Sequence, residues 1–334
     1  MSREGVSAAE GTPAAPAASV GLDWRRLVAP ASVVAAVVLI LLAGGLTTPE
    51  FLTIDNILIV VRSASITGIV ALGMTFVTLS GNFFSISVEQ TAAFTSIIFA
   101  ESLAHGYGLA AGLALAFAVV VAIGLGQGVV VAGGLNPIVV TLGAGAALYG
   151  LAAVVTHNEV VNFDSSSAVS WIGTGRPFGV PTQSWAFVLL TIVSTLVLTR
   201  TRFGREIYLV GTNRAAARAS GLSVEKATIV AFTLSSIAAG IAGVFTAAQV
   251  TQAPLTQFNG LNIDVIAAVL VGGTALQGGE GSTLRSALGA VFIALLANLM
   301  VLRNASFGTR TLVTGLVVVF ATSAFHLLRT RGRR

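Results

Sequence analysis

The sequence predicts an all-α polytopic membrane protein with about ten transmembrane segments, some of them short or broken. Three observations predict it. Hydrophobic residues make up 55% of the 334 residues and charged residues only 9%, against roughly a quarter charged in a soluble domain. Mean hydropathy is +0.91. The 18 lysines and arginines stand mostly at the ends of apolar runs. That is a topology signal rather than a phosphate-binding face, despite an isoelectric point of 10.7. No nucleic-acid partner is expected.

Residues 1–24, rich in Ala, Gly, Pro and Ser, read as a flexible cytoplasmic tail. Arg25 and Arg26 then precede the apolar run 28–46. Its length is nearer the ~20 residues a bilayer requires than the short core of a signal peptide, so it is expected to be an uncleaved first span. Further spans are expected at 64–80, 88–104, 109–133, 136–156, 184–199, 226–249, 263–277, 285–303 and 310–328. The membrane-spanning region is thus expected at 25–328, followed by a basic cytoplasmic tail at 329–334. Several spans are joined by almost no polar sequence, which suggests broken or re-entrant helices shielded by protein or by a water-filled cavity. Gly143, Gly145, Gly150, Gly240 and Gly243 are expected at close helix contacts. No internal repeat is visible in the sequence.

With ten crossings and the N-terminus inside, fourteen basic residues fall on the inner side and four (Arg62, Arg176, Arg303, Arg310) on the outer. This places both termini in the cytoplasm. The segment 157–184, with Glu159, Asp164 and Trp171, becomes the largest external loop. It meets an extracytoplasmic partner or only caps the outer mouth. On the inner side, residues 211–221 form a short, Ala-rich stretch carrying Arg214 and Arg218. A basic helical loop of this kind suits docking of a soluble partner; it equally suits topology-setting alone.

Catalytic signatures are missing. No G-x-x-x-x-G-K-[ST] loop is present, and the single lysine, Lys226, follows Glu225. The Gly-rich stretch 272–281 therefore has no lysine to reach phosphates, and the chain is not its own ATPase. There is no G-x-S-x-G elbow or H-E-x-x-H pair, no cysteine, and His105, His157 and His326 are far apart. Neither enzymatic activity nor a metal or cofactor site is expected.

Ionisable residues inside apolar segments are functional candidates. Glu101 lies near a span end and reaches the interface. Asp264 opens a span, where it caps a helix or lines a pathway. Glu89 sits in the run Ser80-Gly-Asn-Phe-Phe-Ser-Ile-Ser-Val-Glu-Gln90. That run is polar, aromatic and glycine-interrupted between apolar stretches. Asn82, Phe83, Phe84, Ser85, Ser87 and Glu89 either line a path for a small polar solute or form a tight inter-helix turn, with Ser85 capping the next helix.

These residues resemble a known family, the membrane permease subunit of bacterial ABC importers of the ribose/xylose/galactose type, related more distantly to branched-chain amino-acid permeases. The resemblance spans about residues 51–328. It is carried by Phe51-Leu-Thr-Ile-Asp-Asn-Ile57, Gly73-Met-Thr-Phe-Val-Thr-Leu-Ser-Gly81, Asn136-Pro-Ile-Val-Val-Thr-Leu-Gly143 and Phe203-Gly-Arg-Glu-Ile-Tyr-Leu-Val-Gly-Thr-Asn213. Ala215-Ala-Ala-Arg-Ala-Ser-Gly221 and Asp264-Val-Ile-Ala-Ala-Val-Leu-Val-Gly-Gly-Thr274 complete it.

The resemblance implies a permease pair, two cytoplasmic ATPase subunits and an extracytoplasmic solute-binding protein in the bacterial inner membrane. The pair is two copies of this chain or this chain with a related one. The family's ATPase-coupling helix maps onto Asn213, Arg214, Ala215, Ala216, Ala217, Arg218 and Gly221. Asn136, Thr141, Asp264 and Thr274, within the matching stretches, join the expected substrate pathway. The family usually has an acidic residue where this chain has Arg214. Sugar permeases commonly read Gly-Gly-Ile-Asp-Leu-Ser-Val-Gly where this chain has residues 81–90. Here the Asp is absent and one residue is inserted, which bears on the sugar more than on the transporter class. The implied function is import of a monosaccharide or similar polar solute by alternating access, driven by a separate ATPase. A non-sugar solute (amino acid or nucleoside-like) or an ion-coupled secondary transporter is the alternative.

Overall fold

The computed structural model describes residues 24–164 and 166–331. The expected N-terminal tail and the end of the C-terminal tail lie outside the described residues. Each apolar run is a helix, and in sequence order the helices are α1 Trp24–Thr47, α2 Ile54–Leu79, α3 Val88–Ala104, α4 Gly108–Ala132, α5 Pro137–Thr156, α6 Ser167–Thr174, α7 Thr182–Arg200, α8 Arg202–Thr212, α9 Arg214–Ala219, α10 Val224–Val250, α11 Leu261–Val271, α12 Thr283–Leu302 and α13 Phe307–Arg331. Among the described residues, α2, α4, α5, α7, α10 and α12 are long and apolar enough to cross a membrane, and α1, α11 and α13 add shorter apolar stretches. The chain is an all-helical, multi-pass membrane protein.

Polar caps extend several helices beyond their apolar runs. The span expected at 64–80 begins at Ile54, because the Thr53 side chain accepts from the Asn56 N–H and Asp55 sits in the first turn. Ser223 accepts from the Lys226 N–H and starts α10. The span expected at 263–277 stops at Val271, where Gly272 and Gly273 end it. The long loop after α5 carries α6 and a short strand, β1 Val161–Asn162, which the sequence did not announce. It pairs antiparallel with β2 Gln252–Ala253, Val161 opposite Ala253.

The fold contains an inverted repeat that the sequence hides. In one half, α2 is followed by the non-helical segment 80–87, the short α3, then α4 and α5. In the other, α10 is followed by 251–260, the short α11, then α12 and α13. Helix α10 packs on α4 and α3 as α2 packs on α12 and α11, and α3 meets α5 as α11 meets α13. The equivalent helices α2 and α10 run antiparallel: Gly73 abuts Ala238, while Asn82 reaches Thr228.

The core between the halves is built from small residues. Val70, Ala71, Val88, Ala92, Ala239, Ala242, Val265 and Ala268 are buried together. A Cβ added to Gly243 would lie 2.4 Å from the Ala92 carbonyl oxygen, so α10 and α3 touch backbone to backbone. Gly143 and Gly150, expected at such contacts, face open space on the outer side of α5. Of the three glycines of α5 only Gly145 meets a neighbour, the Gln90 side chain, whereas Gly240 of α10 abuts Val120.

Candidate functional site

After α2 the chain turns back on itself. Gly81 and Phe83 adopt left-handed backbone (φ 76° and 56°), and residues 83–87 then run beside α2. The Ser85 N–H donates to Met74 Sδ at 3.2 Å, and the Ile86 N–H donates to Thr141 Oγ1 of α5 at 3.2 Å. Ser85 and Ser87 hydroxyls are 3.1 Å apart, and Ser87 Oγ donates to Gln127 Oε1 of α4 at 3.0 Å. Non-helical backbone is tolerated inside a membrane only when neighbours satisfy it, and here α2 and α5 accept from its N–H groups while α4 holds the Ser87 side chain. Phe84 is half-buried against the core, whereas Phe83 is 45% exposed. Ser85 does not cap α3; Ser87 occupies that position.

Val88 and Ala92 share one buried cluster with Ala239 and Ala242, near the middle of α10, so α3 starts at the depth of a membrane-length apolar helix rather than at its end. Its counterpart α11 starts beside it. The Glu89 N–H donates to Asn262 Oδ1 at 3.2 Å. Glu89 Oε2 accepts from the Gly260 N–H at 3.2 Å and from the Asn262 N–H at 3.4 Å. Two helix N-termini, each with orphan donors and a positive dipole end, thus cap one another. Asp264 lies in the same first turn of α11, within electrostatic reach of Glu89 and of Arg310 on α13.

Of the expected pathway residues, the structure brings Glu89 within electrostatic reach of Asp264 and places Phe84, Ser85 and Ser87 in the segment that leads into α3, with Thr141 bonded to it. Three others lie apart. Asn136 is exposed and caps α5, accepting from the Ile138 N–H at 2.9 Å. Thr274 is buried in a hydroxyl set, 3.4 Å from Ser286 Oγ, which itself accepts from Thr75 Oγ1 at 2.8 Å. Asn82 belongs to the Arg-rich end of the bundle. Asn262, Gln90, Gln127 and Arg310 were not singled out in the sequence. Two of them carried a signal: Gln90 ends the polar run that holds Glu89, and Asn262 is a polar residue two positions before Asp264.

At the Arg-rich end, α8 and α9 form an elbow. The Asn213 side chain accepts from the Ala216 N–H at 3.0 Å and opens α9. Three segments meet beneath it. The Gly279 N–H donates to the Leu79 carbonyl at 3.0 Å, and Tyr208 Oη donates to the Gly281 carbonyl at 2.9 Å. A Cβ on Gly211 would lie 1.8 Å from the Leu79 oxygen, so only glycine admits this approach.

A four-residue spacing would put Arg214 and Arg218 on one helix face with the alanines packed beneath it, but the structure parts them. Arg214 turns inward onto Ser80, Gly81 and Asn82. Burial, and then the Arg218 charge, press its guanidinium below its ordinary pKa. Arg218 stays exposed and pairs with Glu225 at 2.8 Å. Ala217 is buried at 4%, while Ala215 and Ala216 face outward with Arg218. The six-residue helix completes too few turns for the four-residue spacing to set one buried and one exposed stripe.

Broken helices meeting inside an inverted repeat, with a helical elbow at one end, are the parts of a transporter's membrane subunit. Residues 56–322 match the family described as branched-chain amino acid transport system / permease component. The probable ABC transporter permease protein YphD of Escherichia coli is 37% identical over 299 residues, 89% of this chain and 90% of that one. The ribose import permease protein RbsC of E. coli is 33% identical, covering 87% of this chain and 91% of its own length. The L-arabinose transport system permease protein AraH of E. coli is 33% identical over 84% of this chain and 85% of its own. No solved structure matches. The chain belongs to this family of ABC transporter permeases.

Proposed function

We propose that this chain carries a monosaccharide or similar polar solute across the bacterial inner membrane by alternating access, powered by separate ATPase subunits. The observation that carries the reading is the similarity, along nearly the whole length of each, to permeases named for ribose and for L-arabinose import. The Arg-rich end faces the cytoplasm. There the ATPase docks on α8 and α9, chiefly on exposed Ala215 and Ala216 with Arg218, and Gly221 closes the elbow. A solute-binding protein meets the opposite end, where α6 and Trp171 are exposed. Two permease chains complete the path. Ser85, Ser87, Glu89 and Asp264 supply hydrogen-bonding groups beside Phe84, as a polyhydroxylated solute requires.

A second reading, a non-sugar polar solute, is favoured by Glu89-Gln90 standing where sugar permeases of the family commonly carry other residues. Uptake of radiolabelled pentoses, hexoses and amino acids, in cells with and without this chain, decides between them. Pentose or hexose uptake lost with the chain supports the first reading. Loss confined to amino acids supports the second.

A further inference from the structure

We infer that Arg214 is a positioning residue, fastening the coupling elbow to the turn that opens the 80–87 segment. A push on α9 is thereby delivered to residues 82–87 and through them to Glu89 at the start of α3. The inference rests on reading α8 and α9 as the ATPase-docking elements.

The geometry is specific. The Arg214 guanidinium donates to the Ser80 carbonyl at 3.3 Å, the Gly81 carbonyl at 3.1 Å and to Asn82 Oδ1. These acceptors come from three successive residues and converge on one guanidinium nitrogen, Nη2, whose two hydrogens are shared among them. Asn82 is fully buried and passes the link on. Its Nδ2 donates to Ser80 Oγ at 2.7 Å and to Thr228 Oγ1 of α10 at 3.4 Å.

The other side-chain tie from α9, Arg218 to Glu225, is 61% and 47% exposed, and exposed ion pairs hold weakly. The half-buried, charge-assisted contacts of Arg214 are the stronger tie. The turn they clamp has no helix to stiffen it and leads directly into the segment that ends at Glu89. A residue fixed on this turn cannot serve as an outward docking contact.

The cysteine-free chain allows a direct test in nanodiscs with the ATPase subunit bound. A single cysteine at exposed position 83 (Phe83→Cys) reports on the segment through its rate of maleimide labelling with and without ATP. In the otherwise unchanged chain, ATP shifts that rate. In Arg214→Ala the ATP-dependent shift falls by at least about fivefold, the low end of typical inter-site coupling. ATPase co-purification and basal hydrolysis stay unchanged.

Asn82→Ala gives the same loss, the double variant is no worse than either single one, and Arg214→Lys recovers part of the shift. Loss of ATPase binding in Arg214→Ala would make Arg214 a docking contact and overturn the inference. So would an unaltered ATP-dependent shift, or additive losses in the double variant. If Arg214→Ala fails to reach the membrane, Asn82→Ala and Arg214→Lys decide by the same criteria. An ATPase that does not co-purify with the parent chain defeats the docking reading itself, and the inference with it.

Discussion

Glu89 and Asn262 occupy the second positions of α3 and α11, and each bonds the other's backbone N–H. The two contacts are related by the inversion that relates the halves of the molecule. They join two helix starts within the bilayer through one carboxylate and one amide, where unpaired donors are most costly.

This crossed cap predicts a contrast between two substitutions. Glu89→Gln keeps an oxygen able to accept from Gly260 and Asn262, so membrane abundance holds, while transport per molecule or solute preference changes. Glu89→Ala orphans both donors at about 1–3 kcal/mol each, and abundance falls. Uptake normalised to the amount of folded protein separates the effects. Equal, purely structural losses in both variants would remove Glu89 from the pathway.

A second contrast concerns the elbow. Ala216→Glu places a bulky charge on the exposed face of α9, so uptake and ATPase co-purification are lost while the chain still reaches the membrane. Ala217→Glu buries the charge instead, and the chain itself is destabilised. Membrane abundance and pull-down of the ATPase, measured on both, check the assignment. Normal uptake in Ala216→Glu would refute docking there.

Two glycines of this end should differ in severity. Gly221 adopts φ 78° with nothing near its missing Cβ, so Gly221→Ala costs only the left-handed backbone, roughly 1–2 kcal/mol. Gly211→Ala must displace the Leu79 carbonyl and the Gly279 N–H, the latter 2.5 Å from the new Cβ, and costs more. Thermal stability in detergent ranks them, and the reverse order would contradict the packing.

Orientation is checked by labelling single cysteines in intact cells with a membrane-impermeant reagent. Asp164 and Thr212 are both exposed. Position 164 should react and position 212 should not. The opposite pattern would invert the charge count and move the ATPase site to the wrong side.

The apolar runs were legible because the bilayer requires a run of apolar residues for each crossing, whatever it packs against. Helix ends set by polar caps were less legible: Thr53 and Ser223 start α2 and α10 ahead of their apolar runs, and Asn136, expected in the pathway, caps α5. The pairing of Glu89 with Asn262 was not legible, since it joins residues 173 positions apart. It depends on the relation of two helix starts rather than on any local pattern. The inverted repeat was hidden for a related reason. Its halves share helix lengths and packing, and small apolar residues satisfy that packing in many combinations. Arg214 misled because its spacing from Arg218 implied a shared face, while the oxygens of residues 80–82 drew it inward.

The central claim is that this permease moves solute only when a separate ATPase drives it. Proteoliposomes containing the chain, the ATPase subunit and the solute-binding protein test it most directly, with labelled ribose and arabinose offered outside and ATP inside. The account predicts accumulation of at least one of them that requires ATP and all three components and persists without any ion gradient. Accumulation driven by a proton or sodium gradient without the ATPase would contradict it.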